Sequence, residues 1–294
     1  MRAVGVDLGG HNIAAALVED GRILDRLAEP TAGRTPETVT DQIADMVSRL
    51  ADAMGLPVGV GIPGVLDAER EVSLLLPNFT GWNGLRAREM IAARVGRPVK
   101  IENDANCYAL GEGWGGAARG LTDYVVLTLG TGIGGGIIIG GRIHRGFHGM
   151  GGEPGHIVTG TDEPCGCSSH GHLEAIAGAD ALERAAREAG LHPDLKELWT
   201  RRSEPAAAPL WARWLDHLGK GIATITHLLD PQAVVLGGGL SRGAGFLDAL
   251  RPVVLDYLAP PSRRTLDLRT SSLGGDAPVI GAAALAQTRG EEPR

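Results

Sequence analysis

Leu129-Gly130-Thr131-Gly132-Ile133-Gly134-Gly135-Gly136-Ile137-Ile138-Ile139-Gly140 is the stretch on which the fold turns. Gly130, Gly132 and Gly135 match the dinucleotide-binding fingerprint G-x-G-x-x-G. That fingerprint must lead from a strand into a helix, whose N-terminus then receives the pyrophosphate. Here the residues after the glycines are β-branched and continue as a strand, so the turn is a hairpin tip. Its arms are predicted at 123–129 and 136–143. No G-x-x-x-x-G-K-[ST] sequence occurs, which excludes a P-loop.

Reading outward, a matching tip stands near the start of the chain. Residues 3–8 and 12–18 read as strands joined through Asp7-Leu8-Gly9-Gly10. After it, Thr35-Pro36-Glu37 has the capping hydroxyl and first-turn proline of a helix start. Residues 57–62 read as a buried strand closed by Pro63-Gly64, 84–95 as a helix and 98–102 as a strand. Asn103-Asp104 then opens another helix. The second cycle runs through helices at 173–189 and 207–229, a strand at 233–236, the turn Gly237-Gly238-Gly239, a helix near 243–257 and an alanine-rich helix from about 279. Strand–hairpin–helix–strand–helix occurs twice. A duplicated α/β unit with a cleft between its halves is the expected architecture. Facing glycine hairpins, one per half, can offer backbone N–H groups to a triphosphate.

Composition agrees with a soluble two-domain protein. The chain has 294 residues, 43% apolar and 21% charged, with only 4% aromatic, so its cores must be built mainly from Ala, Val, Leu and Ile. Its 45 glycines exceed the usual share of roughly 7%, and they cluster where backbone must approach something closely. A net charge of −7 without a basic block argues against a nucleic-acid partner. No signal-peptide layout and no apolar run of about 18 residues is present, so no membrane partner and a cytoplasmic location are expected.

Cys165-Gly166-Cys167, with His156 before it and His172 after, offers two thiolates and two imidazoles. The cysteines are too close for an easy disulfide, and the set suits tetrahedral zinc. With four protein ligands no position is left for a catalytic water, so a structural zinc is expected. Glu102-Asn103-Asp104-Ala105-Asn106 sets carboxylates and amides at a strand-to-helix junction, where Asp104 reads either as a helix cap or as a functional carboxylate. Glu153 and Glu174 bracket the cysteine cluster. His11 reads as a phosphate contact or as an exposed turn residue. Trp199, Trp211 and Trp214 read as packing, and Cys107 as a small buried apolar side chain.

Taken together, Asp7–Gly10, Gly61-Ile62-Pro63-Gly64, Pro77-Asn78 with Gly81-Trp82, Glu102–Asp104, Leu129–Gly136, Glu153–His156 and the cysteine cluster through Glu174 resemble the ROK family (repressors, open reading frames and kinases) over nearly the whole chain. The resemblance implies an actin-like, hexokinase-like (ribonuclease H-like) ATPase fold of two domains around a cleft. The expected bounds are 1–106, completed by a C-terminal helix at 279–294, and 107–278 with the zinc loop. It implies ATP-dependent phosphorylation of a hexose, glucose first, with N-acetylmannosamine or N-acetylglucosamine as alternatives and a non-catalytic sugar sensor as a remote one. Asp104 would be the general base, while Asn78, Asn103, Glu153, His156 and Glu174 would bind sugar hydroxyls. Asp7 would act near Mg²⁺. Gly9, Gly10, His11 and Asn12, with Thr131, Gly132, Gly134 and Gly135, would surround the phosphates of ATP, and Gly238 and Gly239 would lie against the adenosine. His156, Cys165, Cys167 and His172 would hold the structural zinc, and a homodimer is the expected assembly. Two positions depart from the family pattern. His11 stands where threonine is usual, and His172 stands where a third cysteine is usual. A repressor would need a DNA-binding segment before the first phosphate strand, and Asp7 comes too early to leave room for one.

Overall fold

A computed structural model describes residues 1–50 and 53–288. The last six residues of the expected helix 279–294 lie outside the described residues.

The chain opens with β1 (Arg2–Leu8), β2 (Asn12–Glu19), β3 (Arg22–Pro30), α1 (Pro36–Arg49), β4 (Val58–Ile62), β5 (Val65–Leu66), β6 (Ser73–Leu75), α2 (Ala87–Val95), β7 (Val99–Asn103) and α3 (Asp104–Gly115). It continues through β8 (Tyr124–Leu129), β9 (Ile133–Ile139), β10 (Arg142–Ile143), α4 (Leu173–Ala177), α5 (Ala179–Glu188), α6 (Leu195–Thr200) and α7 (Ala208–Leu229). It ends with β11 (Ala233–Gly237), α8 (Phe246–Tyr257), α9 (Pro260–Thr265), β12 (Leu268–Thr270) and α10 (Ala277–Gln287). One compact unit comprises Met1–Gly120, Gly136–Gly152 and the segment from Ser272; the other comprises Leu121–Gly135 and Glu153–Ser271.

The repetition read from the sequence is present in the sheets. One has the order β3-β2-β1-β4-β7 and the other β10-β9-β8-β11-β12. Each is therefore a run of three consecutive strands followed by two crossover strands. β1, β4 and β7 are mutually parallel, as are β8, β11 and β12. The strand β3 was not anticipated. Its alternating exposed and half-buried residues, RILDRLAEP, carry a polar pattern that hides an edge strand.

Strand alternation divides the first unit into two layers. Val4, Val6 and Leu8 of β1 pack with Val39, Ile43 and Met46 of α1 and Ile91 of α2. Ala3, Ala16 and Val18 face the other way, onto Val279, Ile280 and Ala283 of α10. This second layer is thin because Gly5 and Gly59 lie directly under α10. A Cβ at either position would strike the helix's own carbonyls, those of Val279 and Ala282. Only glycine lets the helix backbone lie this close to the sheet.

Several boundaries differ from the sequence reading. Gly178, the residue between α4 and α5, splits the predicted helix 173–189, and it is extended at φ −69°, ψ 157°. The glycine hairpin is tighter than expected, since β9 already begins at Ile133 and Gly134 and Gly135 are strand residues. Trp211 packs edge to face with both Trp199 and Trp214, and Trp199 and Trp214 tilt against Phe246, all buried, in keeping with a packing role. No helix among the described residues is long and apolar enough to cross a membrane.

Candidate active site

In the first unit, Asp7, Gly61 and Glu102 stand side by side in register on β1, β4 and β7. Asp7 has the same parity as Ala3 and Gly5, so its side chain points to the helical layer of α3 and α10. Gly61 leaves room between the two acids. A Cβ there would lie 3.3 Å from Cys107 Sγ and 3.6 Å from the Asp104 Cα. The first turn of α3 therefore rests on Gly61, and Cys107 is fully buried, as expected for a small apolar side chain.

Asn103, rather than Asp104, caps this helix. Its Oδ1 accepts from Asn106 N at 3.0 Å, and its Nδ2 donates to Gly64 O at 3.0 Å. Asp104 is the first helical residue, and its Oδ1 accepts from Ala105 N at 2.8 Å. Its negative charge lies at the positive end of the helix dipole.

The two acids of the strand row have opposite electrostatics. Asp7 has its carboxyl pushed up to about 7, by burial first and the nearby Asp104 charge second, with Arg26 pulling the other way. Burial also works against the Glu102 charge, but Arg70 and Arg145 overcome it and hold this carboxyl below its ordinary value. Glu102 is 0% exposed. Arg70 Nε lies 3.1 Å from its Oε1, and Arg145 Nε lies 2.6 Å from its Oε2. Oε1 also accepts from Asn103 N at 2.9 Å and Asn106 Nδ2 at 3.1 Å. Neither arginine was picked out in the sequence. The only available signal was indirect, since a strand glutamate on the buried face needs a cation.

The first hairpin tip closes through Gly9 N to Asn12 O at 3.0 Å, and Thr31 N donates to His11 O at 2.9 Å. Both His11 and Asn12 are exposed at this tip. Asn78 is also exposed, in the left-handed region at φ 67°, and Arg34 Nη1 donates to its carbonyl at 3.0 Å.

In the second unit, the glycine turn is held from two sides. Gly130 N donates to Gly132 O at 3.0 Å. Ala179 N and Asp180 N of α5 donate to the carbonyls of Gly130 and Thr131 at 2.8 and 3.2 Å. Glu174 Oε2 accepts from Ile133 N at 2.9 Å, and Gly132 abuts the same carboxylate, so a side chain there would displace it. Glu174 Oε1 meanwhile accepts from Cys165 Sγ at 3.6 Å. Glu174 thus ties the turn to the cysteine cluster, a contact the sequence did not reveal. Glu153 has its carboxyl pushed up by burial and by Glu174, against the pull of His156. Gly238, at φ 87°, abuts Leu129 O, so no larger residue fits there.

One ligand atom each from His156, Cys165, Cys167 and His172 lies within 4.8 Å of every other. His156 Nδ1 is 3.0 Å from His172 Nδ1, and Cys167 Sγ is 3.3 Å from the same atom. Zn–N bonds of about 2.0–2.1 Å and Zn–S bonds of about 2.3 Å set tetrahedral ligand atoms roughly 3.3–3.8 Å apart. The donor set suits zinc, its atoms gathered close to that spacing, and histidine at 172 would be the fourth ligand in place of a cysteine.

A family model described as "ROK family" matches residues 3–289. The chain belongs to the ROK family. A glucokinase of Thermotoga maritima is 37% identical over 311 aligned positions, covering 98% of each chain. The crystal structure of a ROK family glucokinase from Streptomyces griseus, in complex with glucose and AMPPNP, is similar with a TM-score of 0.83 and 34% identity, over 98% of this chain and 99% of that one. An N-acetylmannosamine kinase of Shigella boydii is 33% identical, over 98% of this chain and 99% of its own length. The ROK chain described here therefore has the actin-like, hexokinase-like fold, with the sheet duplication as its internal signature.

Proposed function

We propose that this chain is an ATP-dependent hexose kinase that phosphorylates glucose, with Asp104 as general base. The observation that carries the reading is the division of labour at the start of α3. Asn103 takes the capping role, and Asp104 sits in the first turn beside the Asp7 carboxyl, over the ends of parallel strands. A carboxylate within hydrogen-bond reach of the attacking hydroxyl serves as base, and phosphoryl transfer otherwise depends on alignment and charge neutralisation. In this reading Asn78 and Asn103 of the first unit bind sugar hydroxyls, as do Glu153, His156 and Glu174 of the second. Asp7 would hold Mg²⁺, which supplies charge neutralisation at the phosphates of ATP. The backbone of Gly9–Asn12 and of Thr131, Gly132, Gly134 and Gly135 would surround those phosphates, and Gly238 and Gly239 would lie against the adenosine. His156, Cys165, Cys167 and His172 would hold a structural zinc that fixes the orientation of the His156 ring.

N-acetylmannosamine is the second reading, favoured by kinases for that sugar at similar full-length identity. The experiment is ADP release from Mg·ATP across glucose, mannose, fructose, allose, N-acetylglucosamine and N-acetylmannosamine, with Asp104→Asn as control. Glucose is expected to give the highest kcat/KM, and Asp104→Asn to lower kcat by roughly 10²–10⁴-fold, the usual contribution of a positioned base. Silence across the panel, or a substituted protein that keeps its rate, refutes the proposal.

A further inference from the structure

We infer that Glu102, clamped by Arg70 and Arg145, is a positioning residue that sets the place of Asp104 by bracing the first turn of α3 from beneath. The inference rests on the reading of Asp104 as base.

The bracing is concrete. One carboxylate oxygen, Oε1, touches both ends of the turn, accepting from Asn103 N at 2.9 Å and from Asn106 Nδ2 at 3.1 Å. Asp104 lies between those two residues in sequence, and the Asn103 Oδ1–Asn106 N bond closes the same turn at 3.0 Å. The carboxylate is completely enclosed, while the side chains of its two cations are 11% and 22% exposed. A buried charge held in this way has one geometry available to it, and removing either side leaves the other uncompensated.

Arg70 is built into its place at some cost to the backbone. It stands at φ 56°, in the left-handed region that non-glycine residues avoid. The loop around it is fastened by Asp67 Oδ1, which accepts from Glu71 N and Val72 N at 2.7 and 3.0 Å. From there Arg70 donates to Asp67 O at 2.6 Å, to Gly149 O at 3.3 Å and to Glu102. Arg145 and Gly149 belong to the segment Gly136–Gly152, which runs on in sequence to Glu153 and His156. Glu102 therefore fastens two stretches at once: the turn carrying Asp104, and the segment that leads to two of the proposed sugar ligands. Among the described residues Asn106 Oδ1 is a buried acceptor with no hydrogen-bond partner, so the turn is held through Asn106 Nδ2 and the backbone rather than through that oxygen.

The test uses the full chain with Glu102→Gln and Arg145→Lys, the latter keeping a cation in place should the former fail to fold. Two readouts are taken on each protein. The first is amide hydrogen exchange at residues 103–106 and 145–149. The second is kcat and KM for glucose and for ATP, normalised to folded protein. Both substitutions are expected to speed exchange in those two stretches while leaving α10 and α7 as they were. Kcat should fall roughly 10–100-fold, the scale of a misplacement on the order of 1 Å, with either KM within about twofold. Arg145→Lys should retain several-fold more activity than Glu102→Gln. Unchanged exchange in both variants overturns the inference whatever the protein's activity. A folded, active protein whose kcat is unaltered by either substitution, or whose KM values rise while kcat stays, overturns it too. An unmodified protein that phosphorylates no sugar but whose variants show the expected exchange would sink only the kinase reading and leave the bracing intact.

Discussion

Raising the pH from about 4 to about 7 should remove a stabilising contribution that Asp7 makes to this fold. Its carboxyl is moved from 3.8 to about 7, by burial first, then by the charge of Asp104, with Arg26 opposing both. The sign follows from proton counting. Between these two values the folded chain keeps a proton that the unfolded chain has already released, so stability falls as pH rises across that window. The contribution is fully present below about 4 and gone above about 7. At about 1.36 kcal/mol per pK unit, a displacement of roughly three units corresponds to ~4 kcal/mol as an upper bound. Asp7 is only partly enclosed, so about 2–3 kcal/mol is the working figure after allowing for solvent screening. Asp7→Asn removes the titration while keeping the shape. Urea denaturation of both proteins from pH 4 to 8, at fixed ionic strength and without added magnesium, gives the difference in stability between them. That difference should drop by about 2–3 kcal/mol across the range, because groups such as Glu102, whose depressed carboxyl acts in the opposite sense, are common to both and cancel. Asp104→Asn, by deleting the second cause, should shrink the drop. A difference that stays flat, or rises with pH, would refute the reasoning.

Two further outcomes are expected. Gly281→Ala should destabilise by about 1–3 kcal/mol despite the better helix propensity of alanine, worth at most ~1 kcal/mol, because the new Cβ meets backbone of α3 at Cys107 O and Gly111 N; a thermal midpoint equal to or above that of the unaltered protein counts against it. Purified protein should carry about one zinc per chain by elemental analysis, and Cys167→Ser or strong chelation should remove it and lower the thermal midpoint by several degrees. Absence of zinc after refolding in its presence would overturn that assignment.

The legible part of the fold was the part written in local chemistry. Gly130–Gly132 followed by β-branched residues can only be a hairpin, and that single reading excluded a dinucleotide fold and led to the paired sheets. The candidate metal cluster is legible because thiols and imidazoles so close together have few other uses, and the structure gathers all four. What stayed hidden depended on contacts distant in sequence. Arg70 and Arg145 look like ordinary loop arginines, and only the enclosure of Glu102, 32 and 43 residues away, gives them a purpose. Glu174 reads in the sequence as a sugar ligand, and its bond to Ile133 N, across 41 residues, is a matter of tertiary packing that no local pattern carries. The strand β3 was missed for a different reason, since an edge strand bounded by solvent carries no continuous apolar signal.

Asp7 and Glu102 give the sharpest view of how the first unit is organised. They occupy one row of one sheet, separated only by Gly61, and both are acids facing the same helical layer. Their neighbours set them apart. Loops bring two guanidiniums to Glu102, so it is ionised and fixed. Asp7 faces Asp104 instead and, among the described residues, has Arg26 alone in its favour, so near neutral pH it hovers between its two protonation states. A buried carboxylate without a compensating cation tends to keep its proton. Under the proposed function, Mg²⁺ would supply at Asp7 what Arg70 and Arg145 supply at Glu102. In that reading the sheet holds one acid whose cations are built in and one whose cation would arrive with the nucleotide, and the pH experiment on Asp7, repeated with magnesium present, should show the slope flattening as the cation takes the proton's place.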